Sequence, residues 1–200
     1  MFDFSCSSII TGTLAYISSQ FDDLQPVPAV AIQSTGEYKD LYYQGFVTFE
    51  AGVAGELLAG VEPESSPNAI GYGIYSELLD GPPTFYADYA DSETKDFDLT
   101  SLYYGCSINT AESLASVPVA CTIKATAYDE EDHPVASQEF EYNPRAAAAP
   151  MEKVEFGRGF AHVKKVQFDT TATADAVVAT LFDDVEYTIY KTSPFDEFHH

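Results

Sequence analysis

Two pairs of adjacent aspartates, each flanked by apolar residues, stand near the two ends of the chain. They are Asp22 with Asp23, and Asp183 with Asp184. Calcium prefers about six to eight oxygen ligands, many of them carboxylates, and two like charges about 4 Å apart repel by roughly 4 kcal/mol at an effective dielectric of ~20. If the first and last strands lie side by side, we predict a structural Ca²⁺ site at these four residues. The alternative is that the pairs lie apart and bind water or backbone N–H groups.

Tyrosines are the second group of residues that could contact a ligand. A tyrosine offers an apolar ring face and a hydroxyl group, which suits sugars and protein surfaces. Six of them in the first half of the chain form the predicted ligand-binding set: Tyr42, Tyr43, Tyr72, Tyr75, Tyr86 and Tyr89. The alternative is that these rings fill the protein core and form hydrogen bonds at its rim.

The three cysteines of the chain indicate whether the protein belongs to an oxidising or a reducing compartment. Cys106 and Cys121 flank a segment between two predicted strands, so we predict a hairpin-closing disulfide, worth about 3 kcal/mol in the chain-entropy model. Cys6 remains as a free thiol. The alternative is three reduced thiols in a cytosolic protein. The cysteine and histidine spacings do not match a zinc site.

Signals for catalysis are weak. Glu139 and Glu141 share one face of a predicted strand, about 7 Å apart, but the ordinary explanation is a solvated strand face. The acidic run 129–133 is typical of an exposed hairpin tip. The sequence contains no nucleophile elbow, phosphate-binding loop or zinc-protease motif. We therefore leave enzymatic activity open and favour a protein without it.

The charge of the chain excludes several partners. The 200 residues carry 32 acidic and 9 basic side chains, a net charge of −23, and the acids are spread along the whole sequence. Such a field repels phosphate backbones and anionic membrane surfaces, which excludes a nucleic-acid partner. No segment approaches the ~18 apolar residues of a membrane span. Residues 1–3 lack the basic start of a signal peptide, so the expectation of secretion rests on other evidence.

Alternating apolar and polar residues predict strands along most of the chain. One example is the segment 97–103, in which Phe97, Leu99 and Tyr103 share a face. About nine short strands separated by turns indicate an all-β fold, an antiparallel two-sheet jelly-roll sandwich with little helix. We predict a single domain over residues 1–194, and interpret residues 195–200 as a cloning scar and tag remnant.

Five motifs in order resemble one group of proteins. They are Phe21-Asp22-Asp23-Leu24, Ser66-Pro67-Asn68-Ala69, Phe97-Asp98-Leu99-Thr100-Ser101, Tyr103-Tyr104-Gly105-Cys106 and Leu181-Phe182-Asp183-Asp184-Val185-Glu186-Tyr187. The pattern resembles uncharacterised secreted fungal β-sandwich proteins, whose architecture is similar to that of carbohydrate-binding jelly rolls. The resemblance implies secretion, a jelly roll and often a structural calcium near the C-terminal aspartates. Sugar-binding relatives usually stack sugars on tryptophan, and this chain has none.

Together these observations favour a secreted, non-enzymatic binding protein. A cell-wall glycan is the expected ligand class. One alternative is a glycoside hydrolase or polysaccharide lyase built on a jelly roll. The other is a host-directed secreted effector or surface antigen that acts by contacting a host surface protein.

Overall fold

The computed structural model describes residues 13–24, 34–50, 60–108, 117–172 and 178–191, without the side chains of 49, 50, 74, 75 and 79. These ranges contain fourteen strands, one short helix and one 3-10 turn. The strands are β1 (Leu14–Ser19), β2 (Ser34–Tyr38), β3 (Leu41–Glu50), β4 (Val61–Glu62), β5 (Asn68–Tyr72), β6 (Thr84–Tyr86), β7 (Thr94–Ile108), β8 (Val117–Pro118), β9 (Cys121–Tyr128), β10 (Pro134–Tyr142), β11 (Ala149–Pro150), β12 (Glu152–Glu155), β13 (Lys165–Ala172) and β14 (Val178–Lys191). The helix is α1 (Ile74–Asp80), and Arg158–Phe160 form the 3-10 turn.

Twelve strands form one antiparallel sheet that curls into two facing layers. Its order is β10-β9-β13-β6-β3-β5-β14-β7-β12, with β1 on β14, β2 on β3 and β8 on β7. Strand β3 links the layers, because its first half pairs with β6 and its second half with β5. Gly45 lies at this change of partner with a φ of 71°, and a Cβ there would lie 2.5 Å from the Gly81 carbonyl oxygen. The predicted all-β, antiparallel sandwich with little helix is confirmed.

Aromatic rings fill the space between the layers. Phe46 and Phe85 pack against Phe182 from the facing layer, with ring centroids 5.7 and 6.3 Å apart. At the far end of the sandwich, Tyr104 of β7 meets Phe140 of β10 at 4.7 Å. Edge-to-face pairs of this kind add to the free energy of burial. In strands such as β9, every second residue is buried. Because side chains alternate between the two faces of a strand, each short strand contributes several residues to this core.

The structure contains the disulfide between Cys106 and Cys121, with Cα atoms 6.3 Å apart. The prediction that this bond closes a hairpin of neighbouring strands is wrong. Cys106 belongs to β7 and Cys121 begins β9, and these strands are far apart in the sheet order. The chain makes the short β7–β8 hairpin and then crosses to the other layer, so the bond fastens the two layers together. Cys6 lies outside the described residues.

Two expectations about organisation concern the chain ends. The predicted tag remnant at 195–200 lies outside the described residues, and so does much of the predicted N-terminal part of the domain. Among the described residues, no helix has the length and apolar character needed to cross a membrane.

Candidate functional site

The two neighbouring tyrosines of β3 point to opposite faces of the sheet. Tyr43 is fully buried between the layers, where its ring packs on Phe85 at 4.7 Å. Tyr42 is half-buried on the outer face of the same layer. This split follows from the period of two in a β-strand. It directs attention to the outer face of the layer β10-β9-β13-β6-β3.

A line of three tyrosines and one lysine crosses this outer face at one level of the sheet. Tyr42 pairs with Tyr86, Tyr86 with Lys165, and Lys165 with Tyr128, on strands β3, β6, β13 and β9. Directly opposed residues of antiparallel strands project to the same face. Four strands at a spacing of ~4.8 Å give a line about 14 Å long. We call Tyr42, Tyr86, Lys165 and Tyr128 the aromatic row.

Contacts among its members hold the aromatic row in place. The Lys165 Nζ atom lies 4.7 Å from the Tyr128 ring centroid and 5.9 Å from that of Tyr86. The ring of Tyr89 lies against Tyr42, with centroids 6.1 Å apart, and its hydroxyl donates to Glu37 at 3.3 Å. Burial, then the charge of Glu37, raises the pKa of Tyr89. Each tyrosine of the row is half-buried, so that it remains partly exposed to solvent.

Polar side chains occupy the next level of the same face. Gln44 pairs with Thr84, Thr84 with Gln167, Gln167 with Thr126, and Thr126 with Ser137. We call these five residues the polar row. Gln44, Thr84, Gln167 and Thr126 are each two residues along their strands from the aromatic row and therefore share its face, and Ser137 continues this level onto β10. Thr84 is buried, and its hydroxyl donates to the Pro82 carbonyl oxygen at 3.0 Å. Amides and hydroxyls beside partly open rings are groups that recognise hydroxyl-rich ligands.

A concavity of about 160 Å³ lies beside Tyr86 and Lys165, the two middle members of the aromatic row. It is lined by aromatic, acidic and basic side chains: Tyr86, Asp88, Asp129, Glu130, Asp132, Lys164 and Lys165. Within it, Lys165 Nζ forms an ion pair with Asp132 at 2.6 Å. The concavity is therefore contiguous with the aromatic row and rimmed mainly by carboxylates.

The structure separates the six predicted ligand-binding tyrosines. Tyr42, Tyr86 and Tyr89 come together on the outer face, as described above. Tyr43 and Tyr72 are 0% and 2% exposed, so the structure corrects their assignment and places both in the core, out of reach of a surface ligand. The Tyr72 hydroxyl forms a hydrogen bond with Thr170 at 2.7 Å. The side chain of Tyr75, in α1, lies outside the described residues.

Asp183 ties a loop to the last strand. Its Oδ2 accepts a hydrogen bond from the backbone N–H of Ser65 at 2.8 Å, and its Oδ1 accepts one from the N–H of Asp184 at 2.8 Å. The Ser65 hydroxyl lies 3.2 Å from Oδ1. Asp183 is completely buried, and burial raises its pKa to about 7 against the opposing effect of these hydrogen bonds.

Asp22 and Asp184 lie near Asp183, whereas Asp23 has a different partner. Asp22 accepts a hydrogen bond from the Asn68 N–H at 3.0 Å, and its charge adds to the burial that raises the Asp184 pKa. Asp23 instead accepts a hydrogen bond from the Tyr38 hydroxyl, and this bond lowers its pKa. Within the described part of the chain, Asp184 Oδ1 and the buried Asn68 Oδ1 have no hydrogen-bond partner. We call Asp22, Asp183, Asp184 and Asn68 the aspartate junction.

The aspartate junction does not form a closed set of carboxylates. Across the described ranges, one group of acidic and histidine side chains brings its ligand atoms within 4.8 Å of one another, and it is Asp129, Glu131 and His133 at the β9–β10 turn. There, Asp129 Oδ1 accepts hydrogen bonds from the N–H groups of Glu131 and His133 at 3.0 and 2.8 Å. This pattern is an ordinary acidic turn.

Sequence reasoning missed Tyr128 and Lys165. A usable signal was present for Tyr128: Ile123, Ala125 and Ala127 alternate as core residues, which places Tyr128 on the outer face. No such signal existed for Lys165, because its place beside two tyrosines depends on which strands become neighbours. Asn68 was quoted within a motif, but its bonds to the carbonyl oxygens of Phe21 and Leu24 depend on the tertiary structure.

Comparisons with known proteins bear on the fold. No protein-family model matches the chain, and no curated protein matches it. The structure is similar to that of a DUF4465 family protein from Bacteroides caccae, with a TM-score of 0.52 and 12% identity, over 89% of this chain and 100% of that chain. At this identity the likeness shows the fold alone, and it agrees with the sandwich described above.

A second similar structure is the CBM22-1 xylan-binding domain of Xyn10C from Paenibacillus barcinonensis. Its TM-score is 0.37 at 13% identity, over 93% of this chain and 100% of that chain. A score this low supports no conclusion about the ligand of this chain. Both proteins are bacterial, and the resemblance to fungal proteins stays a prediction.

Proposed function

We propose that this protein is a secreted, non-enzymatic binding protein whose ligand is a glycan chain that lies along the aromatic row. The observation that carries the proposal is the register that aligns Tyr42, Tyr86 and Tyr128 on one outer face. A row about 14 Å long suits several linked sugars better than one. Tyrosine rings offer apolar surface to the C–H face of a sugar, and the accessible members of the polar row offer donors and acceptors to its hydroxyls: Gln44, Thr126, Ser137 and Gln167.

The disulfide supports the extracellular part of the proposal. Disulfides persist in oxidising compartments and are rare in reducing ones. The bond between Cys106 and Cys121 fastens two layers of a folded sandwich, so it has a structural role. The net charge of −23 favours solubility and opposes adhesion to anionic surfaces.

Binding to a panel of insoluble polysaccharides tests the proposal. Xylan, mannan, cellulose, chitin and a mixed-linkage glucan are each incubated with the protein, and depletion from the supernatant is measured. We expect retention on at least one polymer and its loss in the double variant Y42A/Y86A. The matched control is Tyr16→Ala, because Tyr16 is 60% exposed on β1 in the other layer and should leave retention unchanged.

Three other results would contradict the proposal. Retention that survives in Y42A/Y86A places the ligand elsewhere on the surface. Release of reducing ends or unsaturated products from the retained polymer shows an enzyme, a hydrolase or a lyase, instead of a binding protein. If the protein binds no polysaccharide but captures a host surface protein through the same tyrosines, the effector or antigen alternative replaces the glycan.

We also propose that a structural Ca²⁺ ion binds at the aspartate junction. The atoms that it offers to a metal ion are carboxylate and amide oxygens, which Ca²⁺ prefers. Two of these oxygens, Asp184 Oδ1 and Asn68 Oδ1, are buried and have no hydrogen-bond partner within the described ranges. Buried polar atoms without a partner are rare in native proteins and call for a ligand or water. Asp23 is left out of this proposal because its carboxylate is held by Tyr38.

A further inference from the structure

Acidic side chains surround the aromatic row. Five carboxylates and one ammonium group lie beside it, Glu37, Asp88, Asp129, Glu130 and Asp132 against Lys164, and the row itself contains Lys165. Glu37 flanks one end of the row, since it pairs with Tyr42 across β2 and β3. The other four acids rim the concavity beside Tyr86. The imbalance has the same sign as the net charge of the whole molecule.

The positive charge within the row is already compensated. Lys165 is 16% exposed, forms an ion pair with Asp132 at 2.6 Å and lies against the rings of Tyr86 and Tyr128. An incoming carboxylate would have to compete with Asp132 for this ammonium group. Asp88 and Glu130 are exposed at the same concavity, so their charges act on a ligand directly.

An aromatic ring beside carboxylates is a suitable site for an ammonium group. The ring face attracts a cation through its quadrupole, and the carboxylates attract it through charge. The concavity of about 160 Å³ against Tyr86 is large enough for a small substituent and too small for a whole sugar chain. The same field repels a uronate, whose carboxylate carries the wrong sign.

We infer that the aromatic row selects its glycan by charge: it takes chains that bear free amino groups, accepts uncharged chains more weakly, and rejects chains of uronic acids. The amino group of a sugar on the row enters the concavity beside Tyr86, near Asp88 and Glu130. This inference rests on the proposed glycan-binding function, and names the ligand class of the same site.

Three hexasaccharides with the same β-1,4-linked backbone test the inference: those of glucose, glucosamine and glucuronate. Affinities are measured by calorimetry at pH 6, where the glucosamine units carry charge, and at about 20 mM and about 150 mM NaCl, since added salt shortens the screening length. We expect the glucosamine chain to bind roughly tenfold tighter than the glucose chain at the lower salt. The advantage should shrink at the higher salt, and the glucuronate chain should not bind.

Charge variants locate the selectivity. The double variant D88N/E130Q removes two charges at the concavity and should lower the affinity ratio of glucosamine to glucose chain severalfold. The matched control E152Q/E155Q removes two exposed charges from β12 in the other layer, which changes the net charge equally. It should leave that ratio as in the wild type. An equal fall in both variants would assign the effect to net charge and overturn the site.

The outcomes separate this inference from the proposed function. Glucuronate binding within a fewfold of glucosamine binding, or a preference that does not respond to salt, overturns the charge selection while leaving glycan binding intact. Failure of all three chains to bind, together with no retention on the polysaccharide panel, overturns the glycan function and this inference with it.

Discussion

Tyr42 and Tyr43 are neighbours in the chain and have opposite surroundings. Tyr43 is fully buried among Phe21, Phe46 and Phe85, and burial raises its pKa well above the ordinary value. Tyr42 lies on the outer face, against Tyr89. The comparison shows that residue type alone does not separate a core tyrosine from a surface tyrosine. The strand face decides, and a shift of one residue along the strand changes a buried ring into a half-buried one.

The aspartates repeat this lesson. Asp22 accepts a hydrogen bond from the Asn68 N–H and belongs to the aspartate junction. Asp23 turns to the Tyr38 hydroxyl instead. In the tyrosine pair and in the pair of Asp22 and Asp23, two identical side chains that are adjacent in sequence have different partners, because the backbone directs them to different sides.

Replacing Tyr42 and Tyr43 one at a time tests most directly whether the two residues differ in their contribution to stability. Tyr43→Ala should lower the free energy of unfolding by about 3–5 kcal/mol, because it leaves a large cavity between the layers. Tyr42→Ala should cost less than about 1 kcal/mol, as is usual for partly exposed positions, and should weaken glycan retention. Urea unfolding followed by tyrosine fluorescence measures the difference. Equal losses of stability in the two variants would show that Tyr42 is also a core residue.

The disulfide tests whether the two layers depend on a covalent link. The double variant C106A/C121A should lose about 3 kcal/mol of stability in the chain-entropy model, because the unfolded chain gains freedom. At a temperature where the variant stays folded, retention on polysaccharide should be unchanged, since Tyr42, Tyr86 and Tyr128 belong to one layer. Melting curves under reducing and non-reducing conditions provide the measurement, and a variant as stable as the wild type would remove the structural role.

The proposed Ca²⁺ site at the aspartate junction leads to a prediction about thermal stability. A ligand that binds only the folded state at a hundredfold excess over its Kd stabilises by about 2.7 kcal/mol. Chelator should therefore lower the Tm of the wild type, and Ca²⁺ should restore it more than Mg²⁺, which requires a tighter octahedral site.

Two variants of neighbouring residues control the calcium prediction. Asp184→Asn should abolish the response to chelator, because it alters a carboxylate of the aspartate junction. Asp23→Asn should retain the response, because that carboxylate is held by Tyr38. A Tm that is indifferent to chelator in all three proteins would leave the junction as a set of hydrogen bonds.

Alkaline pH gives the smallest expected effect per residue. Tyr187 is fully buried, and burial raises its pKa to about 12, above the value near 10 of an unfolded tyrosine. Folding therefore favours the protonated form, so this stabilisation is fully present below pH 10 and is lost as the pH rises from 10 towards 12. The loss is about 1.4 kcal/mol per pH unit for one group.

The variant Tyr187→Phe isolates that contribution. It removes a hydrogen bond to the Lys39 carbonyl oxygen of 2.7 Å, which should cost about 1 kcal/mol at every pH. Between pH 10 and pH 11, its free energy of unfolding should fall less steeply than that of the wild type. Parallel pH profiles of the two proteins would show that Tyr187 does not ionise differently in the folded state.

Much of the fold followed from local patterns. Alternation within β7, β9 and β14 predicted strands whose inward residues do form the core, among them Phe97, Ile123 and Tyr187. The helix α1 was not predicted, since its seven residues are too few for a clear helical period. The pairing of Cys106 with Cys121 was also predicted, because these two residues flank a segment between two predicted strands.

What the sequence by itself determined is the position of most of the longer strands, their inward and outward residues, and the acidic character of the chain. These properties are local, since the period of a strand and the sum of charges need no knowledge of neighbours. The tertiary structure alone decided which strands are adjacent, and therefore that Tyr42, Tyr86, Lys165 and Tyr128 form a row. It also decided that the disulfide joins two layers. Strand order depends on contacts between residues far apart in the chain, and the repeating pattern of one strand contains no information about its partner.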